Sequence, residues 1–246
     1  MDATTAILAG AVLAGFVQGL SGFGFALTAM AIWSWTLVPE LAGPLAVGGS
    51  FVGQLVSVAG LRGGFDWRRL LPFVVGGVIG VPIGAALLPH VAPLIYQTLV
   101  GAFLLLWCSA MLAIRNLPSV TRGGRVADGV SGFVGGMMGG LGGMSGPAPT
   151  LWCTLRGWEK TTQRTVFQVF NITMHTLTLS VYAATGLITR PVLHGFALLT
   201  PIVVVTAILG TQLYKRLSDT VFRRMVLGLL AASGLVLLAT ALPKLM

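Results

Sequence analysis

Four stretches of this chain, Ala3–Pro39, Leu70–Pro89, Val91–Ile114 and Val192–Tyr214, contain no Lys, Arg, Asp or Glu. About 20 apolar residues make a helix long enough to cross the hydrocarbon core. Each stretch meets that length, so lipid rather than water covers much of the folded chain. Composition agrees. Charged residues are 9% of the sequence, against about 25% in a soluble domain. The segments between the apolar runs are short, which leaves no room for a separate soluble domain. Met1-Asp2 carries no Lys or Arg before the first run, and that run is too long for a signal-peptide core, so the N-terminus is not read as a cleaved leader. The net charge of +9 fits cationic loops facing anionic lipid, not nucleic acid. Cys108 and Cys153 lie in apolar runs and are expected to pack, not to pair or bind metal.

Hydropathy divides the chain into eight apolar segments, 3–38, 41–61, 70–88, 92–114, 129–155, 165–187, 192–213 and 222–242. If all eight cross, Lys and Arg divide seven against eight between the two sides, which is no bias. If segments one and five each enter and leave on the same side, one face collects thirteen and the other keeps only Arg190 and Lys244. Cytoplasmic loops gather positive charge, so the second arrangement is preferred: two hairpins, six full spans, both termini outside. Ala3–Pro39 would be roughly 55 Å long as one helix, against a core of about 30 Å. It suits two passes. Gly129–Leu155 holds nine glycines and suits a re-entrant hairpin. Broken backbone at that depth persists only where protein or a cavity surrounds it.

The hairpins resemble each other. Gly15-Phe16-Val17 precedes Ser21-Gly22 in the first; Gly132-Phe133-Val134 precedes Ser145-Gly146 in the second. A hairpin and three spans cross an odd number of times, so the second copy is expected upside down. The fold class expected is therefore all-α, an integral membrane protein of two inverted repeats, 1–118 and 119–246. Such repeats with matched broken helices mark secondary transporters.

Several segments carry a resemblance to a known family: Gly15-Phe-Val-Gln-Gly-Leu-Ser-Gly-Phe-Gly-Phe25, Phe65-Asp66-Trp67-Arg68, Gly80-Val-Pro-Ile-Gly84, Gly139-Gly-Leu-Gly-Gly-Met-Ser-Gly-Pro147 and Arg156-Gly-Trp158. In order and spacing they resemble the sulfite exporter TauE/SafE family, also called TSUP, over nearly the whole chain. The resemblance implies a permease for small sulfur-containing anions such as sulfite, thiosulfate or organosulfonates, in a cytoplasmic (inner) membrane, and a homodimer. Many members have Gly-Gly after the first Gly-x-Gly, where this chain has Phe25. An anion channel and a carrier of small carboxylates remain alternatives.

A helix N-terminus presents unpaired N–H groups and about half a positive charge. If the hairpins turn at Ser21-Gly22 and Ser145-Gly146, two such termini face the middle of the membrane. The candidate substrate-binding residues at the tips are Gln18, Ser21, Gly22, Phe23, Gly24, Gly143, Met144, Ser145 and Gly146. The competing account of the glycines is close helix packing through small-xxx-small pairs, and it is preferred for those away from the turns. Polar residues inside spans tend to face a cavity. Ser50 and Gln54 share one face of segment two. Gln168, Asn171 and His175 share one stripe of segment six. Gln54, Gln168, Asn171 and His175 complete the site; interhelical hydrogen bonding is the rival role. His175 could titrate, though a neutral hydrogen-bonded histidine is preferred. The acidic residues, Asp2, Glu40, Asp66, Asp128, Glu159 and Asp219, are placed in loops or at segment ends, so no carboxylate relay is expected. His90, His175 and His194 show no metal-ligand spacing. No cofactor and no enzymatic chemistry are expected.

Overall fold

The structure, a computed structural model, describes residues 3–22, 24–58, 66–113, 120, 123–158, 160–214 and 219–244. They form α1 (Ala3–Ser21), α2 (Phe25–Trp33), α3 (Pro39–Val58), α4 (Trp67–Leu87), α5 (Pro93–Ala113), α6 (Gly124–Gly142), α7 (Pro147–Leu155), α8 (Lys160–Ala184), α9 (Arg190–Tyr214) and α10 (Asp219–Ala241). Five of these, α1, α3, α4, α5 and α9, are long and apolar enough to span a membrane. With no water in the core, a backbone that satisfies itself inside each helix is the economical solution.

Segments one and five are both hairpins. Each is a 19-residue helix, a break, and a nine-residue helix. In the first, the Trp33 indole N–H donates to the Ala6 carbonyl at 2.9 Å, which ties the end of α2 to the start of α1. In the second, the Val120 N–H donates to the Leu155 carbonyl at 2.7 Å, and Trp152 Nε1 donates to Asp128 at 2.6 Å. The hairpin bases lie at opposite ends of α4. The Gln97 amide near the start of α5 bonds the Ser34 carbonyl at the first base. At the second base, Arg69 from the start of α4 and Arg156 from the end of α7 both lie over the Trp158 ring, at 5.2 and 5.7 Å from its centroid. Eight full spans would put Arg69 and Arg156 at opposite ends of the bundle. The hairpin arrangement puts them together, as found.

What lets the hairpins lie inside the bundle is glycine. α6 runs along α4 with the two backbones in contact. A Cβ on Gly76, Gly80 or Gly84 of α4 would overlap the carbonyl oxygens of Gly129, Phe133 and Met137; one on Gly132, Gly136 or Gly140 of α6 would overlap those of Phe73, Gly77 and Val81. α1 lies on α9 in the same way, Gly19 against the Ala207 carbonyl and Gly210 against the Phe16 carbonyl. Close approach of this kind supplies van der Waals contact where lipid removes the hydrophobic drive between helices. Packing thus accounts for the small-xxx-small pairs away from the turns. The remaining core, including Phe25, Trp33, Leu45, Met30 and Tyr182, closes around these pairs.

Asp128 lies near the start of α6, at a segment end as expected, yet it is buried, 3% exposed. α6 begins five residues before the hydropathy boundary, after a left-handed turn at Gly123 and Gly124 with φ of 100° and 49°.

Gly136→Leu should remove most folded protein from detergent extracts, since the Gly77 backbone cannot yield to a side chain. Gly228 of α10 has open space where a Cβ would stand. Gly228→Ala should therefore keep its thermal unfolding within about 1 kcal/mol of the wild type.

Candidate functional site

The two breaks are built differently. α1 ends with Gly22 in the left-handed region, φ 80°, its N–H donating to the Gln18 carbonyl at 2.7 Å. α6 ends with Gly143 at φ 76°, its N–H donating to the Gly139 carbonyl at 2.7 Å. Any L side chain is strained in that region, which is why glycine stands at both. The displacement along the chain that carries Ala3–Ser21 onto Gly124–Gly142 also carries Gly22 onto Gly143. The two Ser-Gly pairs are not equivalent. Ser21 closes α1, whereas Ser145 stands just before the Gly146 N-cap of α7. The hairpins thus turn at Gly22 and at Gly143, and the expected turn at Ser145-Gly146 falls at the start of the second arm.

Side chains at the first tip are largely committed to holding it. The Ser21 hydroxyl donates to the Val17 carbonyl at 2.8 Å and accepts from the Gly24 N–H at 3.0 Å. Gln18 Oε1 accepts from the Phe25 N–H at 3.0 Å, which caps α2 from the other arm. Gln18 Nε2 donates to Gln54 Oε1 of α3 at 3.3 Å. Phe23 lies outside the described residues. At the second tip the last carbonyls of α6 are capped by phenols: Tyr96 donates to Leu141 at 3.0 Å and Tyr182 to Gly140. Met144 is buried in the apolar core. Gly146 offers α7 no capping side chain, and Pro147 fills its first position, where a missing N–H costs nothing.

Helix α8 joins the tips. Its stripe of Gln168, Asn171, His175 and Thr178 is buried, none more than 4% exposed. Asn171 Oδ1 accepts from the Ser145 hydroxyl of the second tip at 3.0 Å. Gln168 Nε2 lies against the first tip, 3.1 Å from where a Gly22 Cβ would stand. Both polar atoms of the Gln168 amide lack a hydrogen-bond partner, as do Gln54 Nε2, Ser50 Oγ, His175 Nδ1 and Thr178 Oγ1. An unsatisfied buried polar group costs about 1–3 kcal/mol. Six such atoms on two packed helices, α3 and α8, call for a ligand or water to meet them. Each of these residues except Thr178 was expected as an intramembrane polar position; Thr178 stands three residues beyond His175 on the same stripe, and spacing alone could have included it.

A second cluster, which motif reading missed, closes the base of the second hairpin. Asp128 accepts from Trp152 and lies 3.7 Å from Arg156 Nε. Arg156 and Arg69 lie over Trp158, Phe73 meets the same ring edge-on at 6.1 Å, and Arg69 pairs with Asp66 at 3.1 Å. Asp66 also caps α4 through the Arg68 and Arg69 N–H groups. The Arg156-Gly-Trp158 and Asp66-Trp67-Arg68 motifs of the sequence thus meet in space.

The family model described as sulfite exporter TauE/SafE matches residues 7–237. The chain belongs to the sulfite exporter TauE/SafE family. A curated relative, the probable sulfite/organosulfonate exporter TauE of Cupriavidus necator, is 26% identical over 234 residues, which cover 92% of this chain and 90% of the relative. No solved structure matches the chain. The TauE/SafE family is one of membrane transporters, not enzymes, and this member is a multi-pass membrane protein.

Asp128→Ala should lower the melting temperature in detergent, because it strands Arg156. Combined with Arg156→Ala it should cost less than the two single changes added, with a coupling of about 1–2 kcal/mol. Strict additivity would mean that the pair contributes nothing.

Proposed function

We propose that this member is a secondary transporter that carries a small sulfur-containing anion, of sulfite or organosulfonate type, across the cytoplasmic membrane. The anion is held at the middle of the bundle, between the tips at Gly22 and Gly143. The observation that carries this reading is the Gln168 amide: fully buried, unpartnered at both ends, against one tip and one turn from the residue that holds the other. Gln54 Nε2 adds a donor; in the first turn of α7 only Ala148 carries an N–H, since Pro147 and Pro149 have none. Neutral donors in a dry site can hold an oxyanion without a fixed cation. Glycine at the tips lets the backbone come close to it.

The two halves, 1–118 and 119–246, are read as inverted repeats. The support is the matched element lengths, the hairpin bases at opposite ends of α4, and the paired packing of α1 on α9 and α6 on α4. Alternating access then follows as rocking about a fixed central site. A carrier is favoured over a channel because every polar side chain on the α3 and α8 stripes that faces the site is buried, which is an occluded arrangement rather than a pore.

In proteoliposomes containing the full chain, labelled sulfite or taurine should show saturable uptake and trans-stimulation. Gln168→Leu and Ser145→Ala should reduce it at least about tenfold while melting temperature stays close to wild type. Normal uptake by both variants would remove the site from the tips, and uptake without counterflow would favour a channel. Single cysteines at positions 3 and 40 should react with an impermeant thiol reagent from one side of the membrane; labelling from opposite sides contradicts the first hairpin.

A further inference from the structure

Three buried amides, Gln54 of α3 and Gln168 and Asn171 of α8, lie on the two packed helices that pass the tips, and their acceptor ends are treated differently. Gln54 Oε1 is already engaged by Gln18 Nε2 at 3.3 Å. Asn171 Oδ1 is already engaged by the Ser145 hydroxyl at 3.0 Å. The protein thereby leaves Gln54 with a free donor only. Gln168 alone keeps a free acceptor beside its free donor, and it is 0% exposed. Which atom of that amide is nitrogen does not matter here, since both are unpartnered.

A side-chain amide is planar and presents its oxygen with its nitrogen. An oxyanion placed against the nitrogen satisfies the donor. It cannot satisfy the oxygen, because two lone-pair bearers repel. An anion with only acceptors therefore binds at the cost of one stranded buried carbonyl. An anion that also carries an O–H or N–H meets both atoms of Gln168 at once.

Charge points the same way. The α3 and α8 stripes contain amides, hydroxyls and His175, with no Lys or Arg among them. Arg69 and Arg156 are at the base of the second hairpin, engaged with Asp66, Asp128 and Trp158. Burying charge without a counter-charge is expensive, and the electrostatic cost rises with the square of the charge. A dianion such as sulfate or thiosulfate pays most and supplies no donor.

We propose that the central site selects monovalent or zwitterionic anions bearing a hydrogen-bond donor, with Gln168 Oε1 as the group that reads the donor. Short sulfonates with a hydroxyl or ammonium group, and hydrogensulfite, belong to that class. Sulfate, thiosulfate and plain alkanesulfonates do not. The inference rests on the placement of the anion at the tips given above and assigns the specificity of that same site.

The test is equilibrium binding to the purified full chain at one pH, by calorimetry. The panel is hydroxymethanesulfonate, 2-hydroxyethanesulfonate and taurine, set against methanesulfonate, ethanesulfonate and sulfate. At least one donor-bearing ligand should bind about tenfold or more tighter than its donor-free counterpart, since a site built to hydrogen-bond a hydroxyl discriminates against the analogue that lacks it. Sulfate should bind weakest. Gln168→Met, which keeps the volume and removes both polar atoms, should bring the ratio to within about twofold. Equal binding of donor-bearing and donor-free ligands by the wild type overturns the inference and leaves the anion site standing, as does sulfate binding tightest. Retention of the full ratio by Gln168→Met overturns the role of that residue. Failure of every anion to bind removes the site itself. The wild-type comparison decides even if the variant does not fold.

Discussion

Backbone lying directly on backbone, along α4 and α6 and again along α1 and α9, is the contact on which the rest of this molecule depends. A broken helix in a membrane exposes N–H and C=O groups that lipid cannot satisfy. The breaks at Gly22 and Gly143 survive because each hairpin is pressed into the bundle along its long arm. The facing glycines bring carbonyls to within contact of the neighbouring chain. With the arms fixed, the tips are fixed, and α3 and α8 can cross between them with their polar stripes inward.

The cluster at the base of the second hairpin extends this logic to the charged end of the bundle. Asp128, Arg156, Trp158, Arg69 and Asp66 come from three different segments of the chain. Each guanidinium has a carboxylate and an aromatic face, so charge is settled locally. This separation leaves the buried stripes of α3 and α8 without Lys or Arg. It also gives the positive loops a structural task beyond orienting the protein.

Much of this was legible in the sequence, for physical reasons. Length against bilayer thickness, together with the distribution of Lys and Arg, required two of eight apolar segments to turn back, and both do. The stripe of Gln168, Asn171 and His175 was legible because polar side chains in lipid are costly and helical spacing is fixed. Two things were not. The left-handed residue of the second break, Gly143, was one, because several glycines stand between Gly139 and Gly146 and the sequence does not say which of them takes positive φ. The Asp128 pairing was hidden because its partners, Trp152 and Arg156, approach it only once the hairpin has closed. Matching Ser-Gly dipeptides suggested equivalent tips; backbone geometry shows them at different ends of their breaks.

The bond from the Thr211 hydroxyl to the Gly19 carbonyl, at 3.1 Å, joins residues 192 positions apart. α1 is made well before α9. Until α9 is made the long arm of the first hairpin lacks the backbone it packs on, although the hydrogen bonds that hold its break, from Gln18 and Ser21, are all local. The second hairpin differs, because α4 precedes α6 and is waiting when it arrives. Assembly is therefore lopsided: the early hairpin gains its packing partner only when the late helix is made.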